Sequence, residues 1–390
     1  MVARKIMNSI IGNTVKKGYR HIIHIMLSLM GVVLLGSCSA DSADAPQQPN
    51  ARSVHDLYIS PYSQLYTDVT PVGSHRALPS GYVVYDELNP MMRIADTQIH
   101  CFLTHTRVVD FKGDFIYNGS SSWFSKVPLD EGDYYVYGYM PSSQNGTVTV
   151  LDPSNESVNY SQGAIITFDG MNAVSASDLC VIVGVLGAQD NVTPIDEMNM
   201  KLGNFKYNAD TEGDYIYLLM NHLYSALQFH FIIDSNYRQL RRIKLTKMEL
   251  QATTSATTTV KATLTPNDNG TSPLSVTQTE HAGTGQWVTI YEGAEQELDV
   301  ITPLEFVAFA APGANNKTFN LKTTYNVYDR NNNLIRKRTA ENKLTLSFAD
   351  TEKTTLAAGE KHTFNLTVNP TYLYVLSDPD LDNPTVTVSN

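Results

Sequence analysis

The chain has 390 residues and a mass of 43.2 kDa, with 42% hydrophobic and 17% charged residues. That is a globular composition with room for two or three domains of ~150 residues, and it excludes a largely disordered chain. The first 37 residues hold five Lys/Arg and no acid, so the remainder sets 23 bases against 39 acids, which excludes the basic footprint of a nucleic-acid binder.

At the N-terminus, Arg4, Lys5, Lys16, Lys17 and Arg20 precede an apolar run from Ile22 to Leu35 that only His24 interrupts. A basic flank, an apolar stretch and small residues after it describe a secretory signal peptide over residues 1–37. The run is shorter than the ~20 residues that span a bilayer comfortably. Its end, Leu35-Gly36-Ser37-Cys38, resembles the lipobox of bacterial lipoproteins. That resemblance implies cleavage before Cys38 and acylation of its thiol; an ordinary signal peptide with a chance cysteine is the alternative. Residues 38–53 are small, polar and Pro-containing, and read as a flexible tether. The expectation is a soluble body held by lipid at the outer membrane or cell surface. Such an acidic body gains nothing from anionic headgroups.

From Val54 onward the chain reads as short strands. They fall at 55–62, 99–111, 133–141, 146–152, 164–170, 179–187, 241–252, 257–265, 287–291, 304–312, 318–329, 343–348 and 362–368. Each is rich in Val, Ile, Thr, Tyr or Phe, and most alternate polar with apolar. Asn118-Gly119, Asn145-Gly146, Asp169-Gly170, Asn269-Gly270 and Pro312-Gly313 punctuate them. The best helical candidate, Met220–Gln228, alternates well enough to be a strand. Turn-formers cluster at 208–214, and a weak repeat places Trp123 and Trp287 at strand openings in the two halves. The predicted fold is all-β, with two antiparallel β-sandwich domains in tandem over 54–212 and 213–390 and a terminal tail at 370–390.

Catalytic motifs are absent: no H-E-x-x-H, G-x-S-x-G or P-loop occurs in the sequence. Three cysteines are too few for a disulfide scaffold or a Cys-rich zinc module. His100 and His105, five apart across a strand, fall on opposite faces and make no metal pair. The acidic run Asp378-Pro379-Asp380-Leu381-Asp382-Asn383 lacks the glycine and the final glutamate of a calcium loop and reads as a turn. No cofactor or metal is predicted. Cys101 and Cys180 lie in apolar strands, either paired in an oxidising compartment or buried as free thiols.

Several features together resemble the fimbrillin family, the type V pilus subunits of Bacteroidales. They are the lipobox at Cys38, the Trp123 strand followed by Tyr134–Pro141, the run Leu218–Phe229, and the tail from Asn369 to Leu376 that ends in Thr385–Val388. The resemblance implies transthyretin-like sandwiches, export as a lipoprotein, and cleavage by an arginine-specific protease after the first strand. A neighbouring subunit's C-terminal strand would then fill the opened groove by β-strand addition. Partners on this reading are other pilus subunits, the lipoprotein-processing enzymes, the protease and, through Cys38, outer-membrane lipid. Arg76 in VGSHRALPSG is the candidate cut site, with Arg52 its rival and a plain loop arginine the bland alternative. Tyr372, Tyr374, Val386 and Val388 are the candidate donor-strand residues, unless the tail only closes the chain's own sheet. The function expected is a non-enzymatic stalk or tip subunit of a fimbrium contributing to adhesion. The alternative is a surface lipoprotein that never polymerises and binds glycan or protein through exposed aromatics such as those of 134–139.

Overall fold

Alternating Val, Ile, Thr and aromatic residues do become strands almost everywhere. The computed structural model describes residues 55–63, 67–68, 98–105, 109–117, 123–151, 163–187, 201–202, 204–207, 214–266, 273–313, 317–346, 355–370 and 379–389. The signal peptide, the tether, Cys38, Arg52, Arg76, Tyr372 and Tyr374 lie outside the described residues.

In chain order the first strands are β1 (His55–Ser63), β2 (Thr67–Asp68), β3 (Ile99–Thr104), β4 (Val109–Tyr117), β5 (Trp123–Val127), β6 (Gly132–Met140), β7 (Thr147–Val150) and β8 (Ala164–Asn172). Next come β9 (Val174–Ser175), β10 (Cys180–Gly187), β11 (Asn204–Tyr207), β12 (Asp214–His222), β13 (Ser225–Ile233), β14 (Arg242–Ala252), β15 (Ser255–Leu264) and β16 (Leu274–Ala282). The last are β17 (Val288–Glu297), β18 (Leu304–Ala310), β19 (Thr318–Tyr328), β20 (Leu334–Thr345), β21 (Glu360–Pro370) and β22 (Pro379–Ser389). One α-helical turn, α1 (Ser235–Arg238), is capped by Asp234, whose carboxylate accepts from the Tyr237 N–H at 2.9 Å.

The strands form four sheets. The largest runs β10-β12-β1-β5-β4-β3-β6-β11, and a further pairing of β10 with β6 closes seven of its strands into a ring. The others run β2-β21-β13-β18-β9 with β22 on β21, β17-β14-β19-β20, and β16-β15-β8-β7. Strand pairing crosses residue 212 repeatedly: β12 sits in the ring between β10 and β1, β8 pairs with β15, β9 with β18, and β2 with β21. Two of the four sheets are mixed rather than purely antiparallel, because β1 with β12, β13 with β21, and β2 with β21 are parallel; the other two are antiparallel throughout. Alternation specifies a buried face; it carries no information about partner or direction, which explains that difference.

Three cores follow from these layers. Leu57, Ile59, Cys101, Phe115, Trp123, Val136, Ile182 and Leu218 fill the ring. Phe102, Tyr137, Tyr139, Val181, Val183 and Leu219 pack on its outside with Phe168 and Val260 of the β8–β15 sheet. Phe229, Phe231 and Phe364 face Leu245, Leu250, Phe319 and Tyr325 in the third. β10 is covered on both faces, and every residue of CVIVGVLG is buried. Its sequence is accordingly a continuous apolar run without alternation. Gly138 on β6 is required by close approach, since a Cβ there would lie 2.2 Å from the His100 carbonyl oxygen. The stretch Met220–Gln228 is strand, corner and strand: β12 ends at His222, the Leu223 N–H donates to the Leu179 carbonyl at 2.7 Å, and β13 begins at Ser225.

The surface around β17 to β20 carries carboxylates held below their ordinary pKa. The Tyr328 hydroxyl and the Asn326 amide bond Glu295 and hold its carboxyl below the ordinary 4.5. Backbone N–H groups of Ile301 and Thr302 lower Asp299, and the Asn333 side chain and N–H lower Asp329, each below 3.8. A carboxylate lowered in the folded state adds stability that is complete above its unfolded pKa and is lost as pH falls through the folded one. Thermal midpoints should therefore hold steady from neutral pH down to the ordinary carboxylate values and drop below them. The loss should be smaller in a Glu295→Gln/Asp329→Asn double variant, and an equal acid loss in that variant would refute the assignment.

Candidate functional site

The first strand is seated inside the ring. On one side Leu57–Ser63 of β1 pair with Asp214–Met220 of β12; on the other His55–Ile59 pair with Val127–Trp123 of β5. Leu57 and Ile59 are fully buried, and Ile59 stands opposite both Trp123 and Ile216. Tyr58 stacks on Phe124 with ring centroids 6.0 Å apart. Pro61, which has no N–H, falls where β5 no longer pairs with β1. The Asp56–Lys126 ion pair at 3.7 Å is exposed and adds little. Two ladders, the buried Leu57 and Ile59, and the Tyr58–Phe124 stack hold the described part of β1. Its withdrawal leaves a lane between β12 and β5 with unpaired backbone groups on both walls.

The C-terminal strand has the opposite setting. β22 lies antiparallel on β21, with Val386 opposite Leu366 and Val388 opposite Phe364, two residues of the third core. The other edge of β21 is taken by β13. Among the described residues no strand pairs with the outer edge of β22. The tail therefore closes the chain's own sheet here, as an edge strand with one ladder.

Two expectations meet the structure directly. Tyr134, Tyr137 and Tyr139 are 2%, 0% and 2% exposed, so the aromatic strand proposed as a sugar platform is core instead. Cys101 and Cys180 are both buried and free. They flank β6 on opposite sides, Cys101 opposite Gly138 and Cys180 opposite Met140, so two strand spacings separate them, beyond disulfide reach. The two tryptophans also differ: Trp123 is buried at the start of β5, whereas Trp287 is half-buried, with the Lys322 ammonium 3.8 Å from its ring centroid.

One constellation was not legible in the sequence. Asp178, Cys180 and His222 meet at one end of the ring, each 1% exposed. His222 Nδ1 lies 2.5 Å from Asp178 Oδ2 and 3.2 Å from Cys180 Sγ, and Sγ is 3.5 Å from Oδ2. Asp178 and Cys180 are two apart, and that spacing is visible in the sequence. His222 arrives only through the β10–β12 register, where it stands opposite Cys180. Burial, the Asp178 charge and the hydrogen bond to it all push the Cys180 thiol up. Burial and the same charge push the Tyr224 hydroxyl up. A catalytic Cys-His-Asp relay needs the thiol and the carboxylate on different imidazole nitrogens. Here both address Nδ1, and the thiol is held neutral and covered. This is not the geometry of an activated nucleophile.

The fold is thus an all-β, multi-sheet body with a closed ring that contains its own first strand. No family model matches the chain, and no curated protein matches it. Solved structures do resemble it. A Bacteroides fragilis protein assigned to cell adhesion shares 13% identity over 86% of this chain and 97% of its own, with a TM-score of 0.41. A fimbrial protein from Bacteroides vulgatus shares 13% identity over 86% and 100%, at 0.32. The fimbrial anchor protein Mfa2 from Porphyromonas gingivalis shares 7% over 86% and 97%, at 0.29. These neighbours are fimbrial and adhesion proteins of Bacteroidales.

Proposed function

We propose that the chain is a non-enzymatic subunit of a cell-surface fimbrium that assembles by strand addition. The observation that carries this reading is the position of β1. It is the first described strand, it closes a ring between β12 and β5, and it contributes buried Leu57 and Ile59. Cleavage after Arg76 severs β1 and β2 from the body and opens the lane between β12 and β5. A second chain's tail, residues 370–390 with Val386 and Val388, fills that lane and restores its main-chain ladders. The single-ladder attachment of β22 suits a segment that changes partner, because exposed strand edges are templates for pairing with another chain.

The precursor reaches the outer membrane as a lipoprotein acylated on Cys38. The burial of Tyr134, Tyr137 and Tyr139 removes the aromatic platform on which a purely glycan-binding role would rest. Mass spectrometry of the mature N-terminus, in membranes and in sheared filaments, tests the reading. Filaments should yield chains beginning at Ala77; filaments devoid of this chain, with only an intact lipidated form in membranes, would overturn it. Replacing Cys38 by Ala should eliminate labelling with a fatty-acid probe, and persistent labelling would refute the lipid assignment.

A further inference from the structure

The trio at the end of the ring has a chemistry that strand addition does not use. Three different donor types converge on one small volume: a thiol sulfur, an imidazole nitrogen and a carboxylate oxygen, all within 4.8 Å of one another. Among the described residues this is the one group of three such side chains with that convergence. Backbone geometry fixes it. Cys180 stands directly opposite His222 on β12 and directly opposite Met140 on β6, so the three form a single row across adjacent strands. Asp178 sits just before β10, and its Oδ1 accepts from the Leu179 N–H at 2.7 Å. That bond orients the carboxylate so that Oδ2 faces the sulfur and the imidazole, the kind of outer support that metal-binding carboxylates have.

From this arrangement we propose that Asp178, Cys180 and His222 form a binding site for a divalent zinc-like ion. The donor set is that of zinc: a thiolate excludes calcium and magnesium, and imidazole with carboxylate completes a borderline-soft set. Charge argues for a divalent ion. One thiolate and one carboxylate neutralise a 2+ charge, and a buried centre of zero net charge avoids the cost of an uncompensated charge. Tetrahedral zinc bonds of ~2.0–2.3 Å place neighbouring donors about 3.3–3.6 Å apart. The two edges to sulfur already measure 3.2 and 3.5 Å, and the His222–Asp178 edge of 2.5 Å must open by less than about 1 Å. Met140, fully buried, stands opposite Cys180 in the same row.

Binding forms Zn–S, Zn–N and Zn–O bonds. The Cys180 thiol proton and any proton on the ligating imidazole nitrogen leave to solvent, so no oxidant or reductant is needed. Once bound, the ion ties β10 to β12, the strand against which β1 lies. The inference stands independently of the fimbrial reading, because it concerns the folded chain alone.

The full chain, freed of metal with a chelator and checked for folding by circular dichroism, is dialysed against micromolar zinc or cobalt. The expected result is about one ion per chain by elemental mass spectrometry. Cobalt should give tetrahedral d–d absorption together with a thiolate-to-metal charge-transfer band. Cys180→Ser should lower retention about tenfold or more and abolish the charge-transfer band, whereas Cys101→Ser should change neither. Where Cys180→Ser fails to fold, the cobalt spectra of the parent and of Cys101→Ser decide the matter by themselves. A folded parent that retains less than about a tenth of an ion per chain, against the single ion a built site holds, and shows no thiolate band would overturn the proposal. So would an unchanged spectrum in a folded Cys180→Ser variant, which would put the ion elsewhere.

Discussion

A chain beginning at Ala77 should lose most of the stability of its ring, and a synthetic peptide of residues 54–66 supplied in trans should restore it. Leu57 and Ile59 are fully buried, and truncating one such side chain costs about 2–5 kcal/mol. Losing both, with the ladders to β12 and β5, is comparable with the about 5–15 kcal/mol that holds a whole domain. The expected measurement is a loss of the cooperative thermal transition, or a much lower midpoint, with recovery as peptide is titrated in. The pairings that do not involve β1 can re-form as a strand enters the lane, so the peptide should bring the transition back. A chain starting at Ala77 that melts like the parent and ignores the peptide would show that β1 is dispensable, and the proposed acceptor groove would go with it.

Deleting residues 370–390 should abolish incorporation into filaments while leaving export and folding intact. β22 attaches by one ladder at a sheet edge, and its removal exposes one edge of β21 while β13 keeps the other. The cost to the isolated chain should therefore be small, and its melting should stay cooperative. Incorporation should fall to background, because the donor segment is gone. Filaments that accept the truncated chain at the parent's level would sink the donor assignment. A truncated chain that unfolds would instead mean that β22 is needed in its own sheet. The two outcomes are separated by the melting curve.

The strands were readable because burial on one face leaves a period of two, as in LTVN-type runs and in β14, where RIKLTKMELQA alternates core and surface. The continuous run of β10 was equally visible, and its cause, cover on both faces, emerged only with the packing. Pairing was not readable. Nothing in HDLYISPYS states that it lies parallel to DYIYLLMNH, since register and direction depend on the partner. The same limit hid His222, which stood in the sequence as one scattered histidine among several. Its neighbours Asp178 and Cys180 lie 44 and 42 residues away and are brought to it by a ladder, not by a motif. The tyrosines of β6 could be read either as core or as a display surface; the sheet packed on the outside of the ring buries Tyr137 and Tyr139, and the ring's own core buries Tyr134.

The parallel seat of β1 also sets a timetable. Leu57 pairs with Asp214, so the partner strand is synthesised 157 residues later. At the ~5–20 residues per second of translation, that is a wait of about 10–30 s. During the interval the earliest strand has an apolar face and no parallel neighbour, and closing so long a loop is slow for topological reasons. The first described strand thus takes its place only after 157 further residues have been made, so its occupancy of the ring is decided late in biogenesis.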